Sequence, residues 1–313
     1  MKALVTGTAG FIGSHLAERL VDACGDVTGI DCFTDYYPRA IKERNLQRLR
    51  QSPRFSFVEQ PLAEADLPAL VDGVTHVFHL AAQAGVRRSW GRDFRIYTVD
   101  NIDATQRLLE ASVGKPIERF VFASSSSVYG DEVALPMRED ARPQPVSPYG
   151  VTKLAAEQLC YLYHVNHSVP AVSLRYFTVY GPRQRPDMGF MRFLSAVAQD
   201  RAVPMFGDGR QTRDFTFVAD AVSATVAAAT RGTPGGVYNI GGGSRVQLLD
   251  VFDLIRQVTG RPLRIERLEP QRGDMRDTYA DTSRARADLG FAPRVTLEQG
   301  LRAQYEWMTA GHE

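Results

Sequence analysis

The chain has 313 residues, 44% of them hydrophobic and 23% charged, the make-up of a soluble globular protein long enough for one large domain and a smaller one. A formal net charge of +1 leaves no overall basic field for nucleic acid, so any anion recognition falls to a few placed arginines. Three scattered cysteines, Cys24, Cys32 and Cys160, lack metal-ligand spacing and read as reduced thiols in a cytoplasmic protein. The absence of a charged n-region with an apolar core, and of any stretch of about 18 apolar residues, argues against secretion and membrane insertion.

Lys2 to Thr6 reads as a short strand that runs into Gly7-Thr8-Ala9-Gly10-Phe11-Ile12-Gly13, and Ser14 to Ala23 then has helical periodicity. Strand, glycine-rich turn and helix together make a dinucleotide phosphate site. Gly7 permits the tight turn, Gly10 lets the backbone approach a pyrophosphate, and Gly13 lets the helix lie close to the sheet. A second strand, Val27 to Ile30, delivers Asp31 about 20 residues beyond the glycines, where an acid binds a ribose diol and favours NAD over NADP. Thr34 to Leu49 is a loop and helix over the adenosine end. Phe55 to Val58 and His76 to Leu80 are further strands, and the second leads into Ala81-Ala82-Gln83-Ala84-Gly85-Val86-Arg87, whose small residues allow a flat cofactor to approach. Asp100 to Ala111 is an amphipathic helix, and Arg119 to Ala123 is the strand that delivers Ser124-Ser125-Ser126-Ser127.

Ser147-Pro148-Tyr149-Gly150-Val151-Thr152-Lys153 opens a helix with Tyr149 and Lys153 spaced i, i+4. That spacing puts phenol and ammonium on one face, where the positive charge lowers the phenol pKa toward neutrality and makes it a general acid/base. After a strand from Ala171 to Tyr176 the chain turns Pro- and Arg-rich over Tyr180 to Met188, with a further turn at Phe206 to Gly209. Val218 to Ala229 and Gly236 to Gly241 read as a helix and strand that rejoin the main sheet, and Leu248 to Gly260 as a later helix. The fold class is α/β: a Rossmann-type doubly wound parallel sheet with a smaller, discontinuous C-terminal substrate-binding lobe. We expect the division 1–175 with 214–241 for the cofactor domain and 176–213 with 242–313 for the lobe. No Cys/His cluster suggests a metal, and His15, His76, His79, His164, His167 and His312 read as structural or surface residues.

Taken in order, Gly7 to Gly13, His79-Leu80-Ala81-Ala82, Ser124 to Gly130, Tyr149 to Lys153 and Arg175-Tyr176-Phe177-Thr178-Val179-Tyr180-Gly181-Pro182 resemble the extended short-chain dehydrogenase/reductase family of nucleotide-sugar enzymes along essentially the whole chain. Tyr176 to Pro182 with Arg185-Pro186-Asp187-Met188 are most similar to the UDP-glucuronate 4-epimerases. The resemblance implies tightly bound NAD, contacted by Gly7, Gly10, Phe11, Ile12, Gly13, Asp31, Leu80, Ala81, Ala82, Tyr149, Lys153, Tyr176 and Val179. It implies that Tyr149 takes the proton of a sugar 4-hydroxyl as C4 is oxidised, that Lys153 lowers the Tyr149 pKa and bonds the nicotinamide ribose, and that Ser125 bonds the 4-oxygen. One departure is Pro61, which stands in Phe57-Val58-Glu59-Gln60-Pro61-Leu62 where relatives carry an Asp for the adenine amino group.

Dehydratases of this family place Asp-Glu after the catalytic serine, and decarboxylases place a Glu at the second position. Here Ser126 and Ser127 occupy both, so the resemblance implies a ketone that is simply reduced again, on its other face. The expected substrate is UDP-glucuronate. UDP-glucose or UDP-N-acetylglucosamine is the alternative, since Thr178 stands where hexose epimerases commonly have Asn; a decarboxylase or an idle NAD-binding module are more remote. Substrate contacts are expected from Arg87, Ser126, Ser127, Thr178, Arg185, Arg192, Arg213 and Arg276, with Arg88 and Arg272 as further candidates at the nucleotide end. A homodimer is expected through a four-helix bundle of the 100–111 and 149–166 helices, with Leu159, Leu162 and Tyr163 as apolar contacts.

Overall fold

A computed structural model describes residues 1–311. The strands are, in chain order, β1 (Lys2–Thr6), β2 (Asp26–Asp31), β3 (Phe55–Glu59), β4 (His76–His79), β5 (Arg119–Ser125), β6 (Ala171–Tyr176), β7 (Thr178–Tyr180), β8 (Val203–Phe206), β9 (Thr212–Phe217), β10 (Val237–Ile240), β11 (Arg245–Gln247) and β12 (Ile265–Leu268). Among the described residues a seven-stranded sheet has the order β10-β6-β5-β4-β1-β2-β3, with every pairing parallel. Its inner strands are buried from end to end, β4 and β6 without an exposed residue, as expected where helices cover both faces.

Strand alternation sorts the apolar side chains into two cores. Ala3, Val5, Val121 and Leu174 face the helices Phe11–Asp22, Val218–Arg231 and Ser283–Leu289. Leu4, Phe120 and Phe122 face the helices Ala104–Ser112 and Pro148–His167. Phe120 and Phe122 are almost wholly buried, and each contributes on the order of 2 kcal/mol through that burial. A third cluster, including Tyr180, Phe190, Phe215, Phe252 and Leu301, lies among elements of 180–217 and 246–308. Phe190 and Phe215 pack there at 4.5 Å between ring centroids. Ala285, Leu289 and Phe291, although late in the chain, pack on the large sheet.

The small strands β7, β8, β9, β11 and β12 are absent from the sequence reading. They are three to six residues long and, unlike the strands of the large sheet, lie in turn-rich, Pro- and Arg-rich stretches without a continuous apolar run. The helix expected over 100–111 also differs. A π-helical turn covers Thr98–Asp103 before the regular helix Ala104–Ser112. The wider turn accompanies an inward Asn101, whose Nδ2 donates to the Gln83 carbonyl at 3.1 Å and to Thr152 Oγ1 at 3.0 Å, while its Oδ1 accepts from the Gln83 amide at 2.8 Å.

Candidate active site

The carboxyl ends of β1, β2, β4, β5 and β6 meet on one edge of the sheet, and the chemistry-bearing residues gather there. Gly7 has φ +72°, and a Cβ on it would lie 2.8 Å from the Ala81 amide nitrogen; one on Gly13 would lie 2.2 Å from the Gly7 carbonyl oxygen. Glycine is therefore required at both for the turn, the helix and the β4 loop to touch. The helix Phe11–Asp22 has Gly10 at its N-cap with no side-chain cap and no acid in its first turn, so its leading amides can serve phosphate oxygens. Asp31 closes the other end of this groove. Its carboxylate accepts from the amides of Ala9 at 3.1 Å and Phe33 at 2.9 Å, and burial holds its pKa above the ordinary value against those bonds and Lys42. Ile12 and Leu80 are partly buried, while Phe11 and Val179 are core residues. These groups fit a dinucleotide.

Ser147 caps the helix Pro148–His167 by accepting from the Gly150 amide at 3.1 Å, with Pro148 preorganised at its first position. From this helix Tyr149, Lys153 and Glu157 project at four-residue intervals toward consecutive residues of β5. The Tyr149 phenol faces Ser125, which acts to lower its pKa. Lys153 Nζ donates to the Ala123 carbonyl at 2.9 Å, and Ser124 Oγ donates to Glu157 Oε2 at 2.6 Å. Glu157 in turn forms a buried pair with Arg175 of β6, whose Nη2 donates to Oε1 at 2.6 Å and whose Nε donates to Oε2 at 3.1 Å.

The electrostatics correct one expectation. Burial raises the Tyr149 pKa above the ordinary phenol value, opposed by Ser125 and by Arg185. Lys153 is itself depressed to about 8 by burial, and its ammonium is engaged with a carbonyl. The protein's own groups therefore keep the phenol protonated, and the fall toward neutrality assigned to Lys153 is not built into them.

Arg185 is the charge that faces the phenol. Its Nε and Nη2 donate to Asp187 Oδ1 and Oδ2 at 2.9 and 3.0 Å. Ser126 is buried and Ser127 partly buried in the turn after β5, and the Ser127 amide donates to Ser125 Oγ at 3.1 Å. Thr178 opens β7, two residues past the Ser125–Tyr176 pairing.

Further out, Arg87 and Arg192 both lie over the Phe206 ring, at 4.0 and 5.7 Å. Arg87 also donates to Asp274 Oδ1 and Oδ2 at 3.3 and 2.7 Å. Burial lowers the pKa of Arg213, against the pull of Asp274, Asp131 and Asp277, and its guanidinium donates to the carbonyls of Thr212 and Arg276. Arg87, Arg192 and Arg213 thus share one cluster, whereas Arg88 turns to the Tyr36 ring at 4.9 Å.

Two expected contacts fall elsewhere. The Tyr176 side chain is buried, its hydroxyl 2.7 Å from Thr225 Oγ1, so β6 presents backbone and not this ring to the groove. The Arg276 side chain is largely exposed and reaches Asp208 at 3.6 Å; it is the Arg276 carbonyl that enters the arginine cluster. Pro61 sits in a turn past β3, accepting through its carbonyl from Glu64 and Ala65. His79 is fully buried between Thr6 and Thr105 and is depressed by burial to about 3, a structural residue. His312 lies outside the described residues. Among the described residues no group of three or more His, Cys, Asp or Glu could hold a metal ion.

Glu157, Asn101 and Tyr36 are absent from the sequence reading. A signal existed for the first, since it continues the Tyr149 and Lys153 spacing by one more turn, and for the second, an amide within an apolar helical stripe.

A family model described as the NAD dependent epimerase/dehydratase family matches residues 3–241. The chain belongs to this family. It is 45% identical, over 99% of its length and 98% of the relative's, to a Bacillus subtilis (strain 168) protein named "Uncharacterized UDP-glucose epimerase YtcB". It is 35% identical to the UDP-glucuronate 4-epimerase of Thermodesulfobacterium geofontis (strain OPF15), over 97% of this chain and 95% of that one. The family member UDP-glucuronic acid 4-epimerase from Bacillus cereus, solved in complex with UDP-glucuronic acid and NAD, superposes with a TM-score of 0.96 at 44% identity, covering 99% of both chains.

Proposed function

We propose that the protein is an NAD-dependent UDP-glucuronate 4-epimerase, an isomerase that interconverts UDP-glucuronate and UDP-galacturonate through a transient 4-keto sugar. The observation that carries this reading is Arg185, a partly buried guanidinium that faces the Tyr149 phenol beside the neutral hydroxyl of Ser125 and is paired with Asp187. One charge suits one carboxylate on the sugar, and no acid stands after Ser125 to drive elimination. The complex of the Bacillus cereus relative supports the same substrate and cofactor.

The glycine-rich turn would hold the NAD pyrophosphate and Asp31 its ribose diol; the cofactor, when bound, would supply hydride acceptance from C4 and its return to the opposite face. Tyr149 accepts the 4-hydroxyl proton as its phenolate, the form that the charge of Arg185 favours against burial, and gives it back. Ser125 hydrogen-bonds the same oxygen and holds the phenol in line, and Lys153 sets the electrostatics beneath it. Arg87, Arg192 and Arg213 serve the uridine diphosphate, for which planar guanidinium donors are suited. Residues 1–175 with 214–241 form the cofactor domain, and 176–213 with 242–313 the substrate lobe, save for the 283–291 segment that packs back on the large sheet. The test is incubation with UDP-glucuronate, UDP-glucose and UDP-N-acetylglucosamine in parallel, with product sugars separated. Turnover of UDP-glucuronate alone, or fastest, is expected; turnover restricted to the neutral sugars refutes the carboxylate reading.

UDP-glucose is the second reading, and one observation favours it. Asp187 already neutralises Arg185 through two hydrogen bonds, so the site carries little net charge.

We further propose a cytoplasmic homodimer. Val151, Leu162 and Val165 are 47%, 50% and 58% exposed along the helix that carries Tyr149, at spacings that share one face. Tyr163 does not belong to that face: it is buried within the chain, donating to Glu110 and accepting from Gln106. Light scattering at micromolar concentration that finds a monomer removes the dimer. Cytoplasmic residence is supported by three unpaired cysteines, and no helix among the described residues is long and apolar enough to cross a membrane.

A further inference from the structure

We infer that Tyr36 is a strap across the cofactor groove and that it governs how long NAD stays bound. The inference rests on the placement of NAD proposed above. β1 lies between β4 and β2, and its glycine-rich turn forms the floor of the groove. Tyr36 stands in the loop beyond β2, five residues after Asp31. Its hydroxyl nevertheless meets the loop beyond β4, so closely that a Cβ on Gly85 would lie 2.2 Å from it. Tyr36 thus bridges the loops that flank the glycine-rich turn on either side. With NAD placed as above, its pyrophosphate on that turn falls under this bridge.

Both ends of the strap are fastened. The Tyr36 hydroxyl donates to Asp187 Oδ2 at 3.2 Å, and the guanidinium groups of Arg88 and Arg185 lie over its ring at 4.9 and 5.6 Å. The loop it lands on is held in turn, because Tyr97 donates to the carbonyls of Ala84 and Gly85 at 2.9 and 2.7 Å. Gly85 has φ +105°, a conformation that glycine alone adopts readily, and it leaves room for the hydroxyl. The strap therefore joins the loops that follow β2, β4 and β7, and release of a dinucleotide requires it to let go. A cofactor that is chemically unchanged over each cycle gains from such a fastening, since exchange is never needed for turnover.

The test measures NAD release from the purified holoprotein by chasing it with excess 1,N6-etheno-NAD, for wild type, Tyr36→Phe and Tyr36→Ala, with circular dichroism as the check on folding. Tyr36→Phe loses the hydrogen bond to a carboxylate and is expected to release NAD about tenfold faster. Tyr36→Ala also loses the ring that both arginines lie over and is expected to release it roughly a hundredfold faster. Tyr36→Phe keeps the question open to refutation should the alanine variant fold poorly. Release at the wild-type rate from folded variants overturns the strap, as does faster loss of UDP with NAD release unchanged, which places Tyr36 on the sugar side. Rapid release from the wild type refutes tight retention by itself, while the ratio of variant to wild type still measures the strap.

Discussion

Glu157→Ala tests the idea that the catalytic helix is registered on β5 by a buried ion pair. The side chains of Glu157 and Arg175 are 2% and 4% exposed, and the carboxylate accepts three hydrogen bonds, two from Arg175 and one from Ser124. Burial works against the charged guanidinium, yet Glu157 holds the Arg175 pKa above its ordinary value. Removing the carboxylate strands that charge in the core, beside the Tyr129 ring at 4.6 Å and with the Glu139 carbonyl as a remaining acceptor. Breaking one side of a buried pair costs about 3–5 kcal/mol, or roughly 6–10 °C at about 2 °C per kcal/mol for a chain of this size. The double change Glu157→Leu/Arg175→Met removes both charges and is expected to recover most of that loss. Ser124→Ala removes one hydrogen bond and is expected to cost about 1–2 kcal/mol. Chemical unfolding of wild type, Glu157→Leu, Arg175→Met and the double change gives the cycle, and steady-state kinetics should show a lower kcat in Glu157→Ala, because Lys153 and Tyr149 lie one and two turns away. A Glu157→Ala loss below about 1 kcal/mol, or a double change no better than the sum of the singles, refutes the reasoning.

Tyr149→Phe keeps the ring and removes the acid/base, so turnover should fall by about 10²- to 10⁴-fold with NAD still bound, as read from kcat and cofactor content; retention of more than about a tenth of the activity points to another base. For Lys153, the folded pKa of about 8 lies below the ordinary 10.5. The folded state therefore carries the cost of a buried ammonium below about pH 8 and sheds it as pH rises from 8 toward 10.5. The unfolding free energy of wild type minus that of Lys153→Met should accordingly climb with pH through that window, by about 3 kcal/mol in full, and a flat difference argues against it. Oxidation at C4 turns a uronic acid into a β-keto acid prone to lose carbon dioxide. Thr178→Val, or Ser126→Ala with Ser127→Ala, should therefore slow epimerisation and raise carbon dioxide and reduced cofactor released per turnover; slower epimerisation with neither rising means these hydroxyls do not restrain the carboxylate.

Local chemistry determined a good deal of this protein. Glycine spacing set the turn after β1, because only glycine fits where a Cβ would meet the Gly7 carbonyl or the Ala81 amide. Periodicity set the helices after β1 and β9 and the parallel strands of the large sheet, though not the helices Gly189–Ala198 and Ser283–Leu289, and the i, i+4 interval of Tyr149 and Lys153 set the catalytic face. Those features depend on neighbours in the chain. What needed the tertiary structure depends on partners far apart in sequence: Ser124 with Glu157 and Arg175, Arg87 with Asp274, Tyr36 with Gly85 and Asp187. Burial was likewise a tertiary decision, and it reversed the direction expected for the Tyr149 phenol. The same holds for Tyr176, expected among the cofactor contacts from the family resemblance and turned into the core by the strand pleat, since which face of a strand is inside depends on the helix packed against it.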